Sequence, residues 1–230
     1  MDIQILHLLE GAKAARGLTV VIDVFRAFSL ECYFHANGAK AVYPIGSEAL
    51  ARELKQRHPD WMLAGERKGF KLPGFDFGNS PAQAEGAELS GRTVVHTTSA
   101  GTQGIANASG ADELLTGSLV NAGAIARYIR MRQPETVSLV CMGVGTVRLA
   151  DEDELCARYI RDLLLGETPD IREEADALRF TTGARFFNPE HQADLPSRDF
   201  ELCTQVSVFD FVLRLEPDAD GLLRTVRIDV

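Results

Sequence analysis

A chain of 230 residues with 24 Lys and Arg against 33 Asp and Glu carries a formal charge of −9, and 45% of it is hydrophobic. That makeup belongs to a folded globular protein long enough to bury a core without disulfides or a structural metal. It excludes global disorder, and the acidic balance excludes a broad phosphate-binding face for nucleic acid.

Cys32, Cys141, Cys156 and Cys203 form no C-x-x-C, and the histidines form no H-x-H or H-x-x-x-H pair. Neither a disulfide framework nor a zinc-hydrolase site is therefore expected. No run of about 18 apolar residues stands ready to cross a membrane. The opening Met1-Asp2-Ile3-Gln4 lacks the basic region and apolar core of an export signal. With unpaired thiols, this leads to the expectation of a cytoplasmic protein.

In chain order, Leu18 to Asp23 reads as a buried strand rich in β-branched residues, and 27–36 as a helix stopped by Asn37-Gly38. Ala41 to Ile45 is a strand and 48–57 a helix with Leu50 and Leu54 one turn apart. Trp61 to Gly65 is the next strand. Glu66 to Pro81 follows as a long loop, of a length more often functional than idle. Thr93 to Thr97 is a strand, Ala100 to Ala108 a helix, and Leu114-Leu115 lie in a short strand. Ala122, Ile125, Ala126 and Ile129 mark a helix over 122–131. A strand over Val137 to Cys141 and a helix over 152–165 complete the alternation. Beyond 170, two or three helical stretches precede strands at 206–215 and 222–229, with Phe209, Phe211, Leu213 and Leu215 alternating against Asp210, Val212 and Arg214 as in a half-buried hairpin. The pattern predicts an α/β protein with a mostly parallel mixed sheet covered on both faces and a C-terminal antiparallel hairpin, all in one domain over 1–230. Thr19-Val20-Val21 and Thr93-Val94-Val95 open similar stretches, so an internal repeat over 17–50 and 91–122 is weighed, with both strand ends at one sheet edge.

Four segments have the residue types for chemistry. Asp23-x-x-Arg26 follows a buried strand, where parallel sheets bind their ligands. The carboxylate suits a metal or a base and the arginine suits a phosphate or sulfonate; the plain alternative is a helix cap paired with Arg26. Phe25 stands where the D-x-D phosphatases need their second carboxylate, so that chemistry is not supported. Thr97-Thr98-Ser99-Ala100-Gly101-Thr102 offers hydroxyl and backbone donors at a helix start, suited to an anion or simply to a cap. It lacks the lysine of a P-loop. The long loop combines Glu66, Arg67, Lys68, Asp76, Asn79 and Ser80, enough to close over a charged ligand or merely to turn the chain. Asp151-Glu152-Asp153-Glu154 heads a helix, where acids answer the dipole or hold Mg²⁺. Gly143-Val144-Gly145 lacks the third glycine of a dinucleotide fingerprint.

Taken in order, Val21-Ile22-Asp23-Val24-Phe25-Arg26-Ala27, Gly65-Glu66-Arg67, Asp76-Phe77-Gly78-Asn79-Ser80-Pro81, Thr97 to Thr102, Gly117-Ser118 with Asn121, Glu152-Asp153 with Cys156-Ala157, and Phe200 to Val212 resemble the 2-phosphosulfolactate phosphatase family. These are Mg²⁺-dependent phosphatases associated with coenzyme M biosynthesis. The chain departs from the family pattern at Phe28-Ser29-Leu30, where threonines are usual, and at Ala100, where the family has Asn before Gly-Thr. The resemblance implies a three-layer α/β/α fold and Mg²⁺-dependent hydrolysis of 2-phospho-3-sulfolactate to 3-sulfolactate and phosphate. On that reading Asp23, Glu152 and Asp153 bind Mg²⁺, and Asp23 and Arg26 act at the phosphoryl group. Asn79, Ser80, Thr98, Ser99, Gly101 and Thr102 hold its oxygens, and Arg67 or Lys68 takes the second anion. The implied partner is a small phosphorylated, sulfonated metabolite, with no nucleic acid or membrane; assembly as a homo-oligomer is left open. A phosphatase for an unrelated ester and a non-catalytic phosphometabolite binder remain as alternatives.

Overall fold

The protein is described by a computed structural model covering residues 1–230. The chain opens with β1 (Asp2–His7) and α1 (Leu8–Ala14), two elements absent from the sequence expectations. Then follow β2 (Gly17–Ile22), α2 (Ala27–Ala36), β3 (Ala41–Pro44), α3 (Glu48–Arg57), β4 (Met62–Arg67), β5 (Phe70–Lys71) and α4 (Pro81–Ala84). The middle of the chain supplies β6 (Thr93–Thr97), α5 (Gly101–Asn107), β7 (Ala111–Gly117), α6 (Ala122–Arg132), β8 (Thr136–Cys141) and α7 (Asp151–Leu165). The tail contains α8 (Arg172–Ala177), several 3₁₀ turns over 178–191, α9 (Ser197–Cys203), β9 (Phe211–Pro217) and β10 (Leu223–Asp229).

All ten strands join one sheet in the order β1-β8-β2-β7-β9-β10-β3-β6-β4-β5. Two parallel blocks, β1-β8-β2-β7 and β3-β6-β4, flank the antiparallel β9–β10 hairpin. The hairpin is thus central, and this changes its expected character. Val212, anticipated on an exposed face, is buried along with Phe211 and Leu213, because helices cover both faces of a middle strand. The strand also begins at Phe211; residues 206–210 form an irregular approach whose Ser207 and Phe209 N–H groups bond to Leu119 and Val120. The Glu66–Pro81 loop is likewise interrupted, since Phe70–Lys71 folds back on Glu66–Arg67.

The layers follow from alternation along the strands. Leu18, Val20 and Ile22 pack with Ile125 and Ile129 of α6 and Leu155 and Ile160 of α7. Val21 faces the other way, toward Ala12, Ile105 and Phe28. In the second block, Tyr43, Leu63 and Val95 meet Ala51 and Leu54 of α3, while Val42, Ala64 and Val94 meet Leu30 and Phe34 of α2. Helix α2 is buried nearly all round, as its apolar composition requires. Its Phe28, Leu30 and Cys32 enter three separate apolar clusters, so it packs against both blocks.

β2 and β6 occupy matching places, each the middle strand of a parallel trio, β8-β2-β7 and β3-β6-β4. The trios run in opposite directions across the hairpin, so the two strand ends do not share an edge as a flat sheet would have them. They meet because the sheet coils. Five strand steps separate β2 from β6, and about 20–25° of twist per step accumulates to roughly 100–125°. The joins beside the hairpin are correspondingly short: β10 meets β3 through the single pair Thr225–Val42.

At that join His35 of α2 is buried, with Nε2 2.9 Å from Thr225 Oγ1. Burial, and then the charge of Arg227, push its pKa down to about 4. An unfolded histidine titrates near 6.5, so between these values the unfolded chain binds the extra proton and stability falls as pH drops. The wild type should lose about 2 kcal/mol more than a His35→Gln variant between pH 7 and pH 5. Urea unfolding at the two pH values measures this; parallel losses would remove His35 as the cause.

Candidate active site

The coiling gathers a cavity of about 320 Å³ at the carboxyl ends of β2, β4, β6 and β8. Asp23, Phe25 and Arg26 enter it from β2, Glu66, Lys68 and Gly69 from β4, and Thr98, Ser99 and Ala100 from β6. Gly143 to Gly145 follow β8, and Glu152 and Asp153 sit in the first turn of α7. Asn79 comes from the loop before α4, and Arg185 and Leu195 from the tail.

The turn after β6 does not hold its donors free for a ligand. Ser99 donates both its N–H and its hydroxyl to Glu66 Oε1, at 3.0 and 2.9 Å. Gly101 N–H donates to Asp23 Oδ2 at 2.9 Å. The protein's own carboxylates thus fill the expected anion site. Gly101 is needed for this approach, since a Cβ there would lie 2.8 Å from Phe28 Cζ and 2.9 Å from Asp23 Oδ2. Thr102 turns inward and bonds to Thr98 O, outside the cavity. Only Thr98 Oγ1 among these groups is buried without a partner.

Three further expectations change. Arg67 lies away from the cavity, donating to Thr97 Oγ1 at 3.0 Å and to Glu66 O, because side chains alternate along β4 and its successor Lys68 faces the opening. Ser80 is buried beneath the cavity, capping α4 and donating to Asp199 Oδ1 at 2.7 Å. Arg26 lines the cavity but is already engaged: Nη1 bonds to Asp199 Oδ2 at 2.9 Å and Asp194 O at 2.6 Å, and Nη2 to Gly69 O at 3.0 Å. It holds the tail and the β4 loop onto β2.

Arg185 is the arginine that sequence reasoning missed. Nη2 donates to Phe25 O at 2.9 Å, while Nε is buried with no partner. Its guanidinium faces Glu152 and Asp23, whose charges oppose the pKa lowering that burial imposes on it. Its Cζ lies 5.1 Å from the centroid of the Phe186 ring, a cation–aromatic contact.

The cavity carries more acid than base. Four carboxylates line it against three cations, and Arg26 is matched by Asp199. Burial pushes Asp23 up to about 6, against hydrogen bonds from Ala27 and Gly101 and the charge of Arg185. Glu152 is raised mainly by burial, against a hydrogen bond from Thr182. Asp153 is raised further, by burial and then by repulsion from Glu152 and Asp23. Its two oxygens accept from Val24 N and Gly143 N at 2.9 and 2.8 Å. The other acids of this turn point elsewhere, Asp151 to solvent and Glu154 to His7 Nε2 at 2.9 Å.

This excess of buried oxygen donors is the chemistry of a hard divalent cation. Asp23, Glu152 and Asp153 do not bring an oxygen each within 4.8 Å of one another; the trio that does, His7, Cys141 and Glu154, lies outside the cavity. The spacing therefore suits an ion that takes one or two carboxylates and completes its shell with water and ligand oxygens, as Mg²⁺ does.

Comparison with known proteins gives a consistent family. The family model for 2-phosphosulpholactate phosphatase matches residues 3–218. A protein of Caldicellulosiruptor saccharolyticus named probable 2-phosphosulfolactate phosphatase is 40% identical over 157 residues, which are 66% of this chain and 64% of that protein. One of the same name from Symbiobacterium thermophilum is 38% identical over 67% of this chain and 66% of its own length. The chain thus aligns with just under two thirds of these relatives. With the Bacillus subtilis protein of that name it is 29% identical over 96% of both chains.

The charge balance is testable without any substrate. Glu152→Gln relieves buried repulsion and should stabilise the metal-free protein at pH 7 by about 1–2 kcal/mol, a melting-temperature rise of roughly 3–6 °C. Arg26→Ala strands Asp199 as an unpaired buried charge and should cost about 3–5 kcal/mol. Thermal and denaturant unfolding of the two variants check both signs; a destabilised Glu152→Gln would mean that the acids do not repel.

Proposed function

The chain belongs to the 2-phosphosulfolactate phosphatase family, and from that premise we propose that it is a phosphoric monoester hydrolase acting on 2-phospho-3-sulfolactate with Mg²⁺ as cofactor. The observation that carries this reading is the pairing, in one cavity of about 320 Å³, of surplus buried carboxylates with a guanidinium that has unused donors. The volume lies at the small end of ligand pockets and suits a metabolite of a few carbons rather than a nucleotide.

Asp23, Glu152 and Asp153 are the residues to hold the ion, with Asp23 and Asp153 oriented by backbone N–H groups at both oxygens. When bound, Mg²⁺ would offset the charge of the phosphoryl group and favour deprotonation of an attacking water. Arg185 supplies the forked donor to the phosphoryl oxygens, and its unpartnered Nε and its place beside Asp23 suit that task. Thr98 Oγ1 adds a neutral hydrogen bond from the β6 side. Lys68, exposed at the cavity edge, is placed to meet the second anion, the sulfonate or carboxylate. Arg26 acts by keeping the walls together. Catalysis of phosphoryl transfer by positioning and electrostatics needs no dedicated protein nucleophile.

A panel of small phosphate monoesters, assayed with Mg²⁺ and with EDTA, tests the reading. Phosphate should be released from phosphosulfolactate in preference to unsulfonated esters, and EDTA should abolish it until Mg²⁺ is restored. Arg185→Ala should lower kcat/KM by at least about 100-fold, the scale of losing one transition-state donor. Turnover insensitive to EDTA would refute the cofactor, preference for other esters would refute the substrate, and saturable binding without turnover would refute the enzyme.

A further inference from the structure

Behind the cavity lies a buried histidine–glutamate pair that none of these roles uses. His96, on the middle strand β6, and Glu31, on α2, are both fully buried, with His96 Nδ1 2.9 Å from Glu31 Oε1. Neither lines the cavity. Glu31 Oε2 is buried without a partner. Burial raises the Glu31 pKa, and the hydrogen bond from His96 opposes that rise. Such a pair adds little net stability compared with apolar side chains of similar volume. A position-fixing role accounts better for its presence.

The third member of the chain identifies what is fixed. His96 Nε2 lies 3.3 Å from Asn79 Oδ1, and Asn79 lines the cavity. Around the ring, the strand neighbours Pro44 and Ala64 carry no charge, and Phe34 packs edge-on with its ring centroid 6.2 Å away. Glu31 is thus the ionisable group facing His96. The Asn79 carbonyl oxygen accepts, so Nε2 bears a proton and donates to it, with Nδ1 paired to Glu31 Oε1. In that state Asn79 cannot turn its NH₂ inward without setting donor against donor. Its Nδ2 is held toward the cavity, as a donor to an anionic ligand.

We propose that Glu31 and His96 are positioning residues that lock Asn79 with its amide N–H toward the phosphoryl group. This rests on the phosphatase reading only for what fills the cavity. Were His96 neutral with its proton on Nδ1, the carboxamide would flip and present its oxygen to the anion. The pair therefore sets the sign of the dipole that the ligand meets.

Two measurements test this. In ¹⁵N-histidine-labelled wild-type protein at pH 7.5, Nε2 of His96 should carry a proton; an unprotonated Nε2 overturns the proposal, whatever any variant does. In calorimetric titration with inorganic phosphate in the presence of Mg²⁺, Asn79→Ala and His96→Leu should each weaken binding about tenfold. The double variant should bind at most about twofold more weakly than either single one, because His96 acts through Asn79. Additive losses, or an unchanged affinity in a folded His96→Leu, overturn the proposal. Non-additive losses in a protein that turns over no phosphate ester would leave the positioning role standing and remove the phosphatase reading. Normal turnover with additive losses would do the reverse.

Discussion

Two carboxylates tie the ends of two strands to the turn that follows a third. Asp23 at the end of β2 accepts from Gly101, and Glu66 at the end of β4 accepts from Ser99, so the residues after β6 are gripped from both sides. Without these bonds nothing local would bring β2 and β6 together, because they are the middle strands of trios that run in opposite directions. Sheet twist brings the ends near one another; the carboxylate bonds to Ser99 and Gly101 fix them in register. The cavity exists where they meet, with Asp23, Glu66 and Ser99 of the junction among its lining. Glu66 also accepts from Gly69 N at 2.6 Å, so the same side chain sets the turn that places Lys68 at the opening.

Holding the junction with carboxylates creates an electrostatic debt within the fold. Asp23, Glu66, Glu152 and Asp153 are all at most 8% exposed. Arg26 cannot answer them, since Asp199 holds it. Arg185 answers in part from the irregular tail. This unanswered charge is what the proposed cation would offset, and sites that trade stability for binding in this way are common where function requires charge.

Much of this was readable from the chain. The apolar runs and helix periods of 17–165 located strands and helices to within a few residues, because central parallel strands and their crossover helices are patterned by burial alone. Asp23, Glu152 and Asp153 were found because each stands at a strand end or helix start, where a carboxylate has a local reason to be. The two arginines were not separable. Arg26 follows Asp23 closely and looks like a ligand-binding residue, yet its partner Asp199 lies 173 positions away. Arg185 sits in Thr182-Gly183-Ala184-Arg185-Phe186-Phe187, a stretch without helical or strand period, and nothing in it announces a site. Which arginine is free depends on which carboxylate the fold delivers, and that is a long-range fact. His96 was hidden for a related reason: within Thr93 to Thr97 it reads as one more strand residue, and only α2 supplies the Glu31 that gives it a role.

The helices that follow β2, β6 and β8 settle why the acids can stay. α2, α5 and α7 all start at the cavity, and the first N–H groups of α2 and α5 donate to Asp23. Helix N-termini favour negative charge by some tenths of a kcal/mol each at exposed sites and by more when buried. Asp23 takes the N-termini of α2 and α5 through Ala27 and Gly101, and Asp153 sits in the first turn of α7. Donors that bind phosphate directly in many folds here hold carboxylates instead. On the proposed reading, a phosphate in this cavity would be bound by what the carboxylates leave over: the guanidinium of Arg185, the hydroxyl of Thr98, the amide of Asn79, and a cation held by the acids themselves. The fold has exchanged a backbone anion site for a carboxylate cluster, and on the proposed phosphatase reading this would make the affinity for a phosphate ester conditional on a divalent ion rather than on the chain alone.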